Sequence, residues 1–233
     1  MSDPAPHVRE NHSLLAQPEK RLLIWLARRM PGGINSDHLS ALGLTAMCAA
    51  GLFFAAFRLT PPWAAAGVVL SLAANWFGDS LDGTLARVRD EQRPRYGYYV
   101  DHVIDLAGTT CLTAGLAVSG LMNPLLAAVL LTAYLLVSAE TYLATHARGV
   151  FRMSFLGFGP TELRIVIAAG AIRAAYNPSV LGGSFGPIAL FDVGAAIASA
   201  ALVVVFVASA VRNTRSLYSA ERRPRRIGNC TAA

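Results

Sequence analysis

Long apolar segments, each bounded by short polar ones, form the main pattern along the chain. A lipid bilayer offers no hydrogen-bond partners to the backbone, so a segment that crosses it must be helical, and about 20 residues suffice for one crossing. The pattern predicts an all-α integral membrane protein with six transmembrane helices, near residues 38–57, 62–87, 98–121, 124–146, 160–176 and 187–211. Four of these begin at a proline, which the first helical turn tolerates: Pro62, Pro124, Pro160 and Pro187.

The two ends of the chain follow other patterns. Residues 1–17 are polar and have no apolar core of the kind a secretory signal needs, which predicts a flexible N-terminal tail. Residues 18–30 (PEKRLLIWLARRM) separate leucines and a tryptophan from arginines around a helix. This predicts an amphipathic helix in the membrane interface, with a short core helix as the alternative. Residues 31–212 would form the six-helix transmembrane domain, and the basic residues 213–233 a tail attracted to anionic lipid.

Composition supports a membrane protein. Of the 233 residues, 54% are hydrophobic and 15% are charged, whereas a soluble domain carries about 25% charged residues. A soluble enzyme is therefore excluded. The net charge is +6, but the basic residues are not interleaved with aromatic ones, which argues against nucleic-acid binding. The three cysteines are too scattered for a disulfide framework or a zinc site and are interpreted as packing residues.

Positive charge is distributed unevenly across the predicted spans. Of the 20 lysines and arginines, all but Arg58 and Arg173 fall on one side. The positive-inside rule assigns that side to the cytoplasm and predicts both termini there. In a bacterium the membrane would be the inner (plasma) membrane.

Four carboxylates stand where the second predicted span ends and the third begins. Asp79 and Asp82 are three residues apart, and Asp101 and Asp105 are four apart, so each pair shares a helical face. A short turn makes the two helices antiparallel neighbours, which lets the pairs converge. Such carboxylates repel one another unless cations lie between them, and all-oxygen ligation favours Mg²⁺ or Mn²⁺, with two ions expected.

Residues beside the acids suggest a phosphate-containing ligand. Gly83 and Ala86 leave room for a bulky group near the backbone, and Arg87 can pair with a phosphate. Asp79 precedes Arg87 by eight residues, about 12 Å along a helix, which places the acids just below the cytoplasmic interface. Metal ions, an arginine and a general base are the usual parts of phosphoryl transfer.

The pattern D-x2-D-G-x2-A-R, followed after a loop by G-x3-D-x3-D, resembles the signature of the CDP-alcohol phosphotransferase (CDP-alcohol phosphatidyltransferase) family. Eight residues carry the resemblance: Asp79, Asp82, Gly83, Ala86, Arg87, Gly97, Asp101 and Asp105.

The resemblance implies a homodimer of phospholipid biosynthesis that cleaves the pyrophosphate of CDP-diacylglycerol or a CDP-alcohol, transfers the phosphoryl-bearing half to a hydroxyl acceptor and releases CMP. It also implies roles for the residues of the signature. Three aspartates would bind metal, and Asp105 would bind metal or act as the base. Gly83, Ala86 and Gly97 would border the nucleotide and Arg87 would contact its phosphates. The metal-binding set is Asp79, Asp82, Asp101 and Asp105.

Several neighbours have two interpretations each. His102 is either a second base or a hydrogen-bond partner of a carboxylate. Asn75 either reads the edge of the cytosine or joins two helices. Glu140 either lines the acceptor pocket or forms a buried pair with an arginine. Three further charged residues, namely Arg152, Glu162 and Arg164, either hold a phosphate on the acceptor or lipid, or only satisfy the positive-inside rule.

The acceptor alcohol is left open by the sequence. The segment V-D-H-x-x-D at Val100–Asp105 resembles that of choline and ethanolamine phosphotransferases, whereas the arginines favour a phosphate-bearing acceptor, and serine is a third option. A different class of protein, a transporter or a non-catalytic membrane protein with the acids as a cation site, is the competing interpretation.

Overall fold

The computed structural model describes residues 16–148, 160–177, 179–181 and 188–221. Within them the fold is helical apart from one short antiparallel hairpin, β1 (Ser179–Leu181) with β2 (Ile188–Ala189). The helices are α1 (Ala16–Arg29), α2 (Ser36–Ala55), α3 (Pro61–Val88), α4 (Pro94–Ser119), α5 (Pro124–Arg148), α6 (Pro160–Tyr176) and α7 (Leu190–Ala220).

Each predicted span corresponds to one of the helices α2 to α7, with shifted ends. Helices α3, α4, α5 and α6 all begin at a proline, as the tolerance of the first turn for a missing N–H predicts. Helix α4 starts at Pro94, ahead of the predicted residue 98. Helix α7 continues past the predicted end at Val211 to Ala220, so the first part of the expected C-terminal tail is helical. Pro187, residues 1–15 and residues 222–233 lie outside the described residues.

Four segments are long and apolar enough to cross a membrane: Ser36–Arg58, Pro94–Ser119, Pro124–Ala147 and Leu190–Ala220. Their outer surfaces expose large apolar side chains, as at Leu52 (72% exposed) and Leu125 (74%). A soluble protein would not leave such surface in water, so the protein is integral to a membrane.

Helix α2 packs against both of the helices that carry the four predicted carboxylates. It packs along both α3 and α4, while α3 and α4 make few contacts with each other. Small residues allow this approach: a Cβ atom at Gly115 of α4 would overlap the carbonyl oxygen of Gly51 in α2, and one at Gly78 of α3 would overlap that of Leu39. Close backbone contact through glycine is a common device between membrane helices.

Helix α1 lies against the bundle with part of its apolar surface. Leu23 and Ala27 are buried in a cluster with Leu81 and Leu85 of α3. Leu22 and Trp25 point away from the protein and are 45% and 49% exposed. The apolar residues of this segment therefore divide between two surroundings instead of forming the single membrane-facing stripe that the sequence suggested.

Candidate active site

Three of the predicted carboxylates converge. Asp79 of α3 and Asp101 and Asp105 of α4 each offer an oxygen, and these three oxygens lie within 4.8 Å of one another. All three side chains are half-buried. Such a set of hard oxygen donors fits a divalent cation of the Mg²⁺ or Mn²⁺ type, because carboxylates this close repel one another unless a cation neutralises them.

The positions of the carboxylates depend on α2, the helix against which both α3 and α4 pack. Both helices pack on α2 and make few contacts with each other. Asn75, one turn before Asp79, is buried and donates a 2.9 Å hydrogen bond to the carbonyl oxygen of Gly43 in α2. This bond fixes α3 against α2 at the depth of the site.

Asp82 is oriented by hydrogen bonds to its surroundings. The hydroxyl of Ser40 in α2 donates to its Oδ2 at 2.6 Å, and the backbone N–H of Gly83 donates to its Oδ1. Asp82 is outside the group of three converging carboxylates, but the charges of Asp79 and Asp101 act on it. The fourth acid of the signature is thus at the site with its side chain directed to α2.

A guanidinium group lies at the acidic cluster. Arg164 of α6 forms an ion pair with Asp79, and its Nε donates a 2.7 Å hydrogen bond to Oδ1 of Asn75. Only 15% of the Arg164 side chain and 24% of the Asp79 side chain is exposed. The contact brings α6 to the carboxylates of α3, and Asn75 joins three helices through its two polar ends.

His102 is packed between aromatic rings. Its Nδ1 lies 2.7 Å from the carbonyl oxygen of Tyr98, and its ring centroid is 4.1 Å from that of Tyr98 and 4.8 Å from that of Tyr142 in α5. The same Nδ1 is 3.9 Å from Oδ2 of Asp101. The ring is buried, so its contacts are those of a residue that secures α4 against α5 beside the acids.

Gly83, Ala86 and Arg87 of the signature lie in the last two turns of α3, and Gly97 lies at the start of α4. Nη2 of Arg87 donates a 3.0 Å hydrogen bond to Thr84, and a Cβ atom at Gly83 would meet only the Arg87 side chain, at 3.5 Å. Ala86 is half-buried. At Gly97 an added Cβ would meet nothing within 4 Å among the described residues. These positions leave room for a ligand beside the acids.

The remaining predicted residues have varied positions. Glu140 of α5 accepts a 2.6 Å hydrogen bond from Nδ2 of Asn213 in α7, so its partner is an amide and not the arginine that the sequence suggested. Glu162 is half-buried in the first turn of α6. Arg152 lies outside the described residues.

One polar junction escaped the sequence analysis. Oε1 of Glu19 in α1 accepts hydrogen bonds from Nε1 of Trp76 at 2.7 Å and from the hydroxyl of Thr161 at 2.8 Å. These three residues tie α1, α3 and α6 together one residue from Asn75 and one turn from Arg164. The sequence of α1 does not indicate that Glu19 bonds Thr161, because the two residues are 142 positions apart in the chain.

The site combines half-buried acids, the guanidinium group of Arg164 and space beside Gly83 and Gly97. In a membrane-embedded helical bundle, this combination is typical of an enzyme that acts on a phosphate-containing substrate. The CDP-alcohol phosphatidyltransferase family model matches residues 39–211, most of the chain, and the protein belongs to this family. It is therefore a transferase of phosphate-containing groups in phospholipid synthesis. This excludes the transporter interpretation.

A solved structure has the same fold. The crystal structure of Mycobacterium tuberculosis phosphatidylinositol phosphate synthase with CDP-DAG bound is similar, with a TM-score of 0.53 and 20% sequence identity, covering 91% of this chain and 100% of that one. A search of curated proteins gave no match.

Proposed function

We propose that the protein transfers the phosphatidyl group of CDP-diacylglycerol to a hydroxyl group of an acceptor that itself carries a phosphate. The observation that carries the acceptor class is the position of Arg164, whose guanidinium group pairs with Asp79 of the acidic cluster and donates a hydrogen bond to Asn75. A cation that only satisfied the positive-inside rule would have no reason to be 15% exposed beside Asp79. The donor is proposed from the family and from the ligand of the similar synthase.

The acidic cluster is proposed to hold two divalent cations through Asp79 and Asp101, with Asp82 as a further ligand once its side chain turns from Ser40 and with Asp105, the third converging acid, beside them for proton transfer. When bound, such cations neutralise charge on the donor's pyrophosphate. The convergence of three carboxylate oxygens within 4.8 Å supports the cluster as a cation site, and the all-oxygen donor set supports Mg²⁺ or Mn²⁺ over softer metals.

Asp105 is the proposed general base, in preference to His102. The acceptor hydroxyl loses its proton to the Asp105 carboxylate as its oxygen forms a bond to the phosphatidyl phosphorus. The bond from that phosphorus to the bridging oxygen breaks, and CMP leaves with the electron pair. Asp105 is half-buried among the converging acids, whereas the His102 ring is enclosed by Tyr98 and Tyr142.

The flank of the site is proposed to bind the nucleotide. Gly83, Ala86 and Gly97 would border the nucleotide, since an added Cβ at Gly83 would meet only the Arg87 side chain and one at Gly97 would meet nothing within 4 Å among the described residues. Arg87 would contact the donor's phosphates. Glu140, Glu162 and Arg152 are proposed for the acceptor side with Arg164. Glu140 has the weakest support of these, because its carboxylate is engaged by Asn213.

The membrane arrangement is proposed to comprise six crossings, with both termini and the active site in the cytoplasm, and a homodimer. Helices α3 and α6 would be the two crossings beyond the four apolar segments. Acidic residues lower the hydropathy of α3, and α6 has only 17 residues. Reporter fusions after residues 59 and 92 would test the topology, because six crossings put these two loops on opposite sides of the membrane.

The decisive experiment measures CMP release by the purified protein with CDP-diacylglycerol, Mn²⁺ and a panel of acceptors: glycerol phosphate, inositol phosphate, serine and diacylglycerol. We expect turnover with a phosphate-bearing acceptor. Arg164→Ala should raise the KM of that acceptor roughly tenfold to a hundredfold, the effect of losing a charge-assisted hydrogen bond, while the donor KM changes little.

Arg173→Ala, at the other end of the same helix, is the matched control, because Arg173 bonds the carbonyl oxygen of Asn177 far from the acids. It should leave both KM values unchanged. Turnover with serine alone would overturn the acceptor class. CMP release only when a CDP-amino alcohol replaces CDP-diacylglycerol as donor, with diacylglycerol as acceptor, would also overturn it and would favour the amino-alcohol branch suggested by the segment around His102.

A further inference from the structure

A cavity with a positively charged lining lies between α1 and the end of α3. A cavity of about 340 Å³ is lined by Lys20, Ile24, Arg28, Thr84, Arg87 and Val88. Its volume is at the lower end of the range of about 300–1,000 Å³ for small-molecule sites. Three of the six lining residues are cations and none is an acid, so the cavity suits an anion.

The cations of α1 are available to a ligand. Lys20 and Arg28 are both exposed, and no carboxylate among the described residues pairs with either. The neighbouring Glu19 directs Oε1 to Trp76 and Thr161 instead. Lys20, Ile24 and Arg28 are spaced by four residues, so they form one stripe along α1. The two positive charges therefore face the cavity from the same side.

This cavity is on a different side of α3 from the acidic cluster. Thr84 follows Asp79 by five residues, which is roughly 140° around a helix of 3.6 residues per turn. Val88 lies farther round the same side, and Arg87 stands between the two faces with its guanidinium group bonded to Thr84. The cavity is thus separate from the carboxylates.

The lining favours an amphiphilic anion over a free one. Ile24 and Val88 add apolar surface to the cationic lining, and Val88 is 40% exposed. On the same helix as Lys20, the exposed Leu22 and Trp25 are typical of a segment seated in the lipid headgroup region. We propose that this cavity binds the phosphate headgroup of an anionic phospholipid through Lys20 and Arg28, beside the transfer site and apart from its carboxylates.

The test measures thermal unfolding of the full-length protein in a neutral detergent with added phosphatidylglycerol, phosphatidylcholine, inorganic phosphate or CMP. Phosphatidylglycerol should raise the Tm and phosphatidylcholine should not. In the double variant Lys20→Gln, Arg28→Gln, the phosphatidylglycerol concentration giving half of the Tm shift should rise about tenfold or more, since each basic residue near an anionic surface contributes roughly fivefold.

The matched control is Arg21→Gln, Arg29→Gln, which removes the same charge from the same helix at positions that do not line the cavity. It should change the half-point less than about twofold. Equal weakening in both double variants would show diffuse attraction and overturn the site.

Two further arms separate the sources and the chemistry. A Tm rise with inorganic phosphate or CMP that is lost in the Lys20→Gln, Arg28→Gln variant would assign the cavity to a soluble anion and overturn the lipid proposal. The charge-preserving pair Lys20→Arg, Arg28→Lys should keep the phosphatidylglycerol effect, and its loss would contradict recognition by charge. None of these readouts depends on turnover.

Discussion

Ser40 of α2 donates a 2.6 Å hydrogen bond to Oδ2 of Asp82 in α3. The residue that orients this signature acid therefore comes from a helix with no acid of the cluster. Ser36, one turn earlier, bonds the carbonyl oxygen of the same residue at 3.1 Å, so α2 holds both the backbone and the side chain of Asp82.

This contact allows the charge of Asp82 to be tested apart from its hydrogen bond. Asp82→Asn keeps an oxygen that can accept from Ser40 but lacks the charge needed to bind a dication. We expect turnover to fall roughly a hundredfold or more, with weaker Mn²⁺ binding and an unchanged Tm. Ser40→Ala should cost about tenfold, the usual range for a residue that orients a metal ligand.

Asp90→Asn is the control for this pair, since Asp90 is exposed in the α3–α4 turn and its φ of 58° suits asparagine. It should behave as the wild type in both assays. Near-normal turnover in Asp82→Asn would show that Asp82 serves only to join α2 and α3.

Asp105→Asn separates a base from a metal ligand. A base acts mainly in the transition state, so the variant should bind CDP-diacylglycerol with Mn²⁺ as the wild type does while kcat falls about 10²- to 10⁴-fold. Donor binding by equilibrium titration and single-turnover kinetics measure the two quantities. His102→Phe keeps the aromatic contacts with Tyr98 and Tyr142 and should retain most of kcat.

If Asp105→Asn loses donor affinity together with turnover, Asp105 is chiefly a ligand. A loss of kcat in His102→Phe at unchanged Tm would then assign the proton transfer to His102.

Gly115→Ala should destabilise the protein. Its Cβ would overlap the carbonyl oxygen of Gly51, and since both atoms belong to helix backbones, α2 and α4 must separate. Overpacking of this kind costs about 1–3 kcal/mol, which we expect as a lower Tm in detergent. Gly194→Ala in α7, where a Cβ meets nothing within 4 Å among the described residues, should leave the Tm unchanged or raise it slightly. Equal Tm values for the two variants would contradict the close contact.

Glu19→Ala tests the junction of α1, α3 and α6. The change removes the acceptor of both Trp76 and Thr161, and an unsatisfied buried donor costs about 1–3 kcal/mol. Because Thr161 and Arg164 are one turn apart on α6, we expect the acceptor KM to rise more than the donor KM, together with a lower Tm. Glu19→Gln retains an acceptor oxygen and should stay close to wild type. An unchanged acceptor KM in Glu19→Ala would show that the junction does not position Arg164.

The sequence was sufficient for the parts of the structure that repeat or lie close along the chain. Hydropathy located α2 to α7 because an apolar stretch of fixed length is a local signal, and proline marked three predicted helix starts. The convergence of Asp79 with Asp101 and Asp105 was also predictable, since the four acids lie within 27 residues and helical spacing sets their faces.

The sequence was insufficient where contacts join distant helices. Arg164 and Asp79 form an ion pair although they are 85 residues apart in the chain. The hydrophobic periodicity of their helices does not predict this contact. The direct packing of α3 on α4 was expected from their short turn, but the small residues of α2 allow it to pack along both helices instead. Some apolar residues of α1 pack on α3 and others are exposed. Which residues do so depends on the surface of α3, and the sequence of α1 alone does not show that surface.

The role of α2 has a consequence for how such an enzyme can diversify. The carboxylates of α3 and α4 take their spacing from a helix that contributes none of the cluster's charges, and the glycine contacts leave little freedom in that spacing. Helices α5, α6 and α7 carry Glu140, Arg164 and Asn213, which lie outside the contacts of α2 with α3 and α4. If Arg164 binds the acceptor as proposed, a descendant of this chain can acquire a new acceptor by changes in the second half of the bundle and inherit the reaction from the first half.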